Sequence, residues 1–185
     1  MRLLVSALLL SFLTACQTTQ HTNIGNVQGI SFPAEKWVAR TVTLEGRPRT
    51  LFFCPEARCG EFGFVMLTQV THHDSSNVTA EDFLRMRSVN EAYLKEAFAL
   101  LLKKNVLDPE KRAEVRSVRK INGNPVGLYV EGAGSGDQKR VFMAAELRAQ
   151  GNRVAGAASY AFSSNAARRN IRYIDLPLLM NQGKP

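Results

Sequence analysis

Glu114-Val115-Arg116-Ser117-Val118-Arg119-Lys120-Ile121-Asn122-Gly123-Asn124-Pro125-Val126-Gly127-Leu128-Tyr129-Val130-Glu131 is the stretch whose reading decides the fold. Branched residues favour extended backbone on both sides of Asn122-Gly123, the strongest short hairpin signal. A second pair follows: Arg140 to Ala149 and Arg153 to Phe162 form strands around Gln150-Gly151-Asn152. Gly132 to Asp137, with glycines at 132, 134 and 136, reads as a loose turn between the hairpins. Hairpin connections imply a largely antiparallel sheet.

The pattern extends upstream. Lys36 to Leu44 alternates, with Val38, Val42 and Leu44 on one face and Trp37, Thr41 and Thr43 on the other. Gly46-Arg47-Pro48 supplies a turn, and Arg49 to Phe53 and Glu61 to Thr71 read as two more strands. Thr79 is a helix N-cap, with Glu81 and Asp82 in the first turn. One long helix is expected to reach Lys104, with Phe83, Met86, Asn90, Tyr93, Ala97 and Leu101 forming a mostly apolar stripe. Asp108-Pro109-Glu110 opens at most a turn of helix. Ser163-Ser164-Asn165 caps a terminal helix that buries Ile171, Ile174 and Leu178, with Pro177 kinking or ending it. The expected class is α+β: a largely antiparallel sheet with one long helix and a C-terminal helix packed on it. The boundaries are residues 1–15 as leader, 16–27 as tether, 28–181 as a single domain and 182–185 as tail.

The leader has its own chemistry. Arg2 precedes an apolar run of about eleven residues, Leu3 to Leu13, too short to span roughly 30 Å of hydrocarbon. Leu13-Thr14-Ala15-Cys16 closes it. This resembles the signal peptide and lipobox of bacterial lipoproteins. The resemblance implies cleavage before Cys16 and fatty acylation of that cysteine, which anchors the chain through two or more lipid chains. Gln17, where Asp would favour the inner membrane, implies the periplasmic face of the outer membrane if the source is Gram-negative. Residues 17–27, His21 among them, are polar and read as a flexible tether of roughly 18 Å r.m.s. span.

Composition bounds the partners. The chain of 185 residues has 24 Lys and Arg against 16 Asp and Glu, a net charge of +8. An exported protein does not meet nucleic acid, so acidic lipid, acidic wall polymer or another envelope protein are the expected neighbours. The candidate anion-binding groups are Lys103, Lys104, Lys111, Arg112, Arg116, Arg119 and Lys120 after the long helix, and Arg168, Arg169 and Arg172 on the terminal helix. Beyond Cys16, the remaining Cys54 and Cys59 form an even pair in an oxidising compartment and suggest a disulfide across a strand-turn-strand. Its six-residue loop is worth about 2 kcal/mol in the chain-entropy model.

Catalytic signals are sparse. His72-His73-Asp74 is the one cluster with acid–base potential, but neighbours on a strand face opposite ways. No G-x-S-x-G or H-E-x-x-H occurs, and the glycines at 132, 134 and 136 fit neither phosphate-loop pattern. No catalytic residue, metal or cofactor is therefore expected, apart from lipid on Cys16. A wall-directed hydrolase built on His72, His73 or Asp74 is the minor alternative.

The order of strands, long helix, two hairpins and terminal helix, with the turn at Asn122-Gly123-Asn124-Pro125, is similar to the α/β/α sandwich of the PsbP-like family. That resemblance implies an accessory or binding role and no active site. The reading is a non-enzymatic, membrane-anchored envelope lipoprotein. Its alternative is a module binding a small ligand or wall polymer in a cleft beside the sheet.

Overall fold

The computed structural model describes residues 28–44, 47–72, 78–105, 113–135 and 140–182. The lipobox, Cys16, His73, Asp74, Lys111, Arg112 and the segment at 108–110 lie outside them. Seven strands form one antiparallel sheet in the order β1-β2-β3-β7-β6-β5-β4. They are β1 Val38–Leu44, β2 Arg47–Cys54, β3 Gly63–His72, β4 Ala113–Ile121, β5 Val126–Ser135, β6 Arg140–Gln150 and β7 Arg153–Ala161. Five helices accompany them among the described residues: α1 Glu56–Cys59, α2 Ala80–Arg85, α3 Glu91–Asn105, α4 Ser164–Ile171 and α5 Leu176–Gln182. No helix of the described residues is long and apolar enough to cross a membrane.

Helices lie on both faces of the sheet, each layer over a different half. Under α4 the sheet is built of small residues: Ala144, Ala155, Ala157, Ser159 and Ala161 are all buried. Ala166 and Ala167 of α4 are buried against that half. Small side chains on both partners let helix and sheet approach closely. On the opposite face, α2 and α3 bring Leu84, Val89 and Leu94 onto Val115, Val118, Val126, Leu128 and Val130. β5 buries Val126, Leu128 and Val130 on the α2–α3 side, while Tyr129 and Glu131 on its other face are only half-buried.

Several expectations are corrected. The long helix is broken: α2 ends at Arg85 and α3 starts at Glu91. Thr79 does cap α2, accepting from the Asp82 N–H at 3.0 Å. A second cap restarts the helix, with Asn90 Oδ1 accepting from the Tyr93 N–H at 2.9 Å. Lys120 Nζ fills the gap by donating to the Met86 and Val89 carbonyls at 3.2 and 3.1 Å. The break changes the helical phase. Phe83, Met86 and Tyr93 of the expected core stripe are 41%, 39% and 50% exposed, and Val89 and Leu94 are buried instead.

The terminal helix is also two helices. Ser163 caps α4, accepting from the Ala166 N–H at 3.2 Å. Asp175 Oδ1 accepts from the Leu178 N–H at 2.9 Å and starts α5, so Pro177 sits in a first turn, where its missing N–H costs nothing. Ile171 and Ile174 are buried, but Leu178 is 40% exposed. α5 ends at Gln182, one residue beyond the expected domain boundary.

In the strands, the buried side of β1 is that of Trp37 and Ala39, whereas Val38 and Val42 are only half-buried. Arg47 and Pro48 belong to β2, Pro48 opposite Thr43, so they do not form a turn. The β2–β3 pairing begins only at Thr50, leaving Pro48 where no N–H is needed on that side. Gly132 and Gly134 lie inside β5 rather than in a loose turn. Asn122–Pro125 form a four-residue loop with a cis Asn124–Pro125 peptide and Gly123 at φ 146°. Contacts to β6 hold this loop: Arg148 Nη1 donates to the Pro125 carbonyl, and Gln150 Nε2 to Asn124 Oδ1, both at 3.2 Å. The β6–β7 turn is the expected tight one, with Gly151 at φ 55°.

Cys54 and Cys59 are joined by a disulfide, Cα to Cα 6.1 Å. The turn between them is one helical turn, α1, and not a simple strand-turn-strand. Pro55 stands at its N-cap and Gly60 ends it in the left-handed region at φ 72°.

Candidate functional site

Strand register gathers polar groups where α4 leaves the sheet uncovered. Arg119 of β4 pairs with Tyr129 of β5, which pairs with Glu146 of β6. In the next row Ser117 pairs with Glu131. These five side chains, with Arg168, Ile171 and Arg172 at α4, line a cleft of about 540 Å³. A β-bulge between Val115 and Ser117 lets Val115 and Val118 both turn to the α3 side, while Ser117 and Arg119 stay in the cleft.

The electrostatics are organised around Glu131. Arg168 grips it with a two-pronged fork, Nε to Oε1 at 2.9 Å and Nη2 to Oε2 at 2.6 Å. That hydrogen bond is the main reason the Glu131 carboxyl titrates below its ordinary value, with burial opposing it. The Tyr129 phenol is shifted up, chiefly by burial and then by the Glu131 charge and hydrogen bond, so it stays protonated. Arg119 lies over the Tyr129 ring at 4.8 Å, a cation–π contact that holds the guanidinium in the cleft. Glu146 is taken by Arg148 at 2.6 Å. Arg119 and Arg172 have no carboxylate partner among the described residues.

The expected basic groups sort themselves. Arg119 on β4 and Arg168 and Arg172 at α4, four elements apart in sequence, meet in this cleft. Arg116 stands nearby but pairs with Glu114 at 3.0 Å and lies over the Phe142 ring at 5.2 Å. Arg140 pairs with the same Glu114 at 2.7 Å. Lys120 points the other way and closes the helix break, so it leaves the anion-binding set. Arg169 is exposed on α4 and does not line the cleft. Lys103 and Lys104 lie on α3, across the sheet from α4. His72 ends β3. Among the described residues no three His, Cys, Asp or Glu side chains are grouped to hold a metal. Sequence reading missed Tyr129, Glu131 and Ser117 as site residues. Strict alternation on β5 placed Tyr129 and Glu131 on one face, but only the α4 packing shows which face is a cleft.

A second cavity, about 550 Å³ and apolar, opens between α2, α3 and the sheet beside Phe83, Leu84, Tyr93, Leu94, Phe98 and Leu128.

Acid should loosen the polar cluster. Glu131 and Glu81 both have carboxyls lowered in the fold, Glu81 mainly by the Gly151 N–H and then by Arg85. A lowered folded value contributes stability that is present above the unfolded value and lost as pH falls through the folded one. We expect the urea midpoint to drop as pH falls below the ordinary glutamate value of 4.5. Glu131→Gln should flatten that slope, and an unchanged slope would remove Glu131 from the account.

Compared with known proteins, the chain matches no protein-family model and no curated protein.

Proposed function

We propose that this chain is a non-enzymatic, lipid-anchored protein of the bacterial cell envelope whose domain binds an acidic component beside the membrane. The observation that carries the reading is where the chain enters the domain. The Asp175 N–H donates to the Gly29 carbonyl at 2.8 Å, Ile30 bridges to Ile174, and the Ser31 N–H donates to the Tyr173 carbonyl at 2.9 Å. The root of the tether is thus fastened directly after Arg172, at the end of α4 that faces the basic cleft. A lipid on Cys16 and a short tether would hold that flank towards the bilayer, where each exposed basic group near an anionic surface is worth about 1 kcal/mol.

Binding fits the cleft better than catalysis. Its two carboxylates are engaged by guanidiniums, and Glu131 is shifted away from neutrality, the wrong direction for a general acid or base at pH 7. Helices on both faces of an antiparallel sheet also support the PsbP-like sandwich, whose members are mostly accessory or binding proteins. The cleft equally supports a wall-polymer or small-ligand module, with the anchor serving to place it.

Mass spectrometry of the full chain extracted from bacterial membranes tests the anchor. The expected species begins at Cys16 and carries the added mass of a diacylglyceryl group and an acyl chain. Recovery of the uncut precursor with a free Cys16 thiol, from cells able to process lipoproteins, would overturn the reading.

A further inference from the structure

We propose that the cleft between α4 and the β4–β6 end of the sheet is a binding site for a phosphate monoester. The inference rests on the binding role proposed above and names the chemistry bound. Three guanidiniums, of Arg119, Arg168 and Arg172, line it with two carboxylates, of Glu131 and Glu146, and Arg148 pairs with Glu146 from beside the cleft. Two positive charges are left uncompensated, which matches a dianion rather than a singly charged group. Arg148 and Arg168 are committed to the carboxylates, so Arg119 and Arg172 are the groups free to receive the ligand.

The number of donors selects among anions. A carboxylate offers two oxygens in one plane, and a single guanidinium fork satisfies them. Two forks from different elements, with the Ser117 hydroxyl in the same cleft, suit a tetrahedral group with three terminal oxygens. Arg119 is already held by the Tyr129 ring, so little ordering remains when ligand arrives. The cleft volume of about 540 Å³ leaves room for a glycerol or sugar carried by the phosphate. The same chemistry is offered by a soluble phosphorylated metabolite and by a lipid headgroup ending in a monoester.

The test titrates full-length protein in uncharged detergent micelles with sn-glycerol 3-phosphate, observed by ³¹P NMR and calorimetry. Saturable binding is expected, at least about tenfold tighter than for glycerate, its carboxylate counterpart. Arg119→Gln and Arg172→Gln should each weaken it about tenfold or more, while Arg169→Gln, on the same helix outside the cleft, should change it less than about twofold. Both cleft arginines are exposed, and circular dichroism checks that the variants fold. Mixed micelles identify the source: displacement of glycerol 3-phosphate by phosphatidic acid, but not by the diester phosphatidylglycerol, indicates a lipid headgroup. Displacement by neither, with soluble binding intact, indicates a soluble ligand. Absence of saturation with both monoesters, equal affinity for glycerate, or equal loss in Arg169→Gln would overturn the proposal. A Cys16 without lipid would overturn the anchor and leave this titration standing, so the two failures are separable.

Discussion

Phe32→Ala is expected to destabilise the domain by about 3–5 kcal/mol, the range for truncating a buried aromatic. Phe32 is 5% exposed and stands at the centre of an aromatic cluster. Its ring lies 4.4 Å from Trp37, 4.7 Å from Phe52 and 5.1 Å from Tyr173. These partners come from the entry segment, from β2 and from the α4–α5 connection, so one truncation opens a cavity shared by three elements. It also loosens the backbone bonds that fasten residues 29–31 to Tyr173 and Asp175. Against a total stability of about 5–15 kcal/mol, that is a large share. Trp37 is the single tryptophan of the chain and reports directly on the cavity. Urea unfolding followed by its emission should show the lower midpoint and a native spectrum shifted to the red. A change under about 1 kcal/mol would mean that the cluster contributes little.

Gly127→Ala should cost about 2–3 kcal/mol, while Gly156→Ala should stay within about 0.5 kcal/mol. Both glycines are in strands, and the difference is their surroundings. A Cβ on Gly127 would stand 2.3 Å from the Leu147 carbonyl oxygen and 2.7 Å from Arg148 Cδ. The oxygen is backbone of β6 and cannot move aside without breaking the β5–β6 ladder. A Cβ on Gly156 meets nothing closer than 3.6 Å, an ordinary contact. Arg148 also bears on the proposed site, since it neutralises Glu146 in the cleft. Paired thermal unfolding of the two variants gives the comparison, and equal effects would refute the steric account.

The strands were legible because alternation and turn chemistry are local. Asn122-Gly123 and Gly151-Asn152 mark both late hairpins where they occur. The helix break at 86–90 leaves an ambiguous trace: Asn90 can cap a helix, but an Asn inside a helical pattern can also be a surface residue. What decides between them is Lys120, thirty residues later, whose ammonium satisfies the freed carbonyls. Asp175-Leu176-Pro177 is a clearer signal, an N-cap followed by proline in the first turn, so Pro177 opens a new helix instead of kinking or ending the preceding one. The bulge at Val115–Ser117 has no local signature, since it serves to put Val115 and Val118 together on the α3 side while Ser117 and Arg119 face the cleft.

The site shows the same division. Charge alone marked Arg116, Arg119, Lys120, Arg168, Arg169 and Arg172 as equals. The fold separates them by what lies opposite each one. Arg119 finds a ring, Arg116 and Arg168 find carboxylates, Lys120 finds backbone carbonyls, and Arg172 finds none of these among the described residues.

By itself, then, the amino-acid order determined the antiparallel strands, the caps at Thr79 and Ser163 and the cysteine pair, because those depend on a few neighbouring residues and short-range sterics. Tertiary structure alone decided where the helices break, which strand faces are buried and which cations stand beside anions. Those outcomes depend on packing and Coulomb forces between segments that can lie more than 100 residues apart, as when Ser163 Oγ reaches Glu61 across a separation of 102.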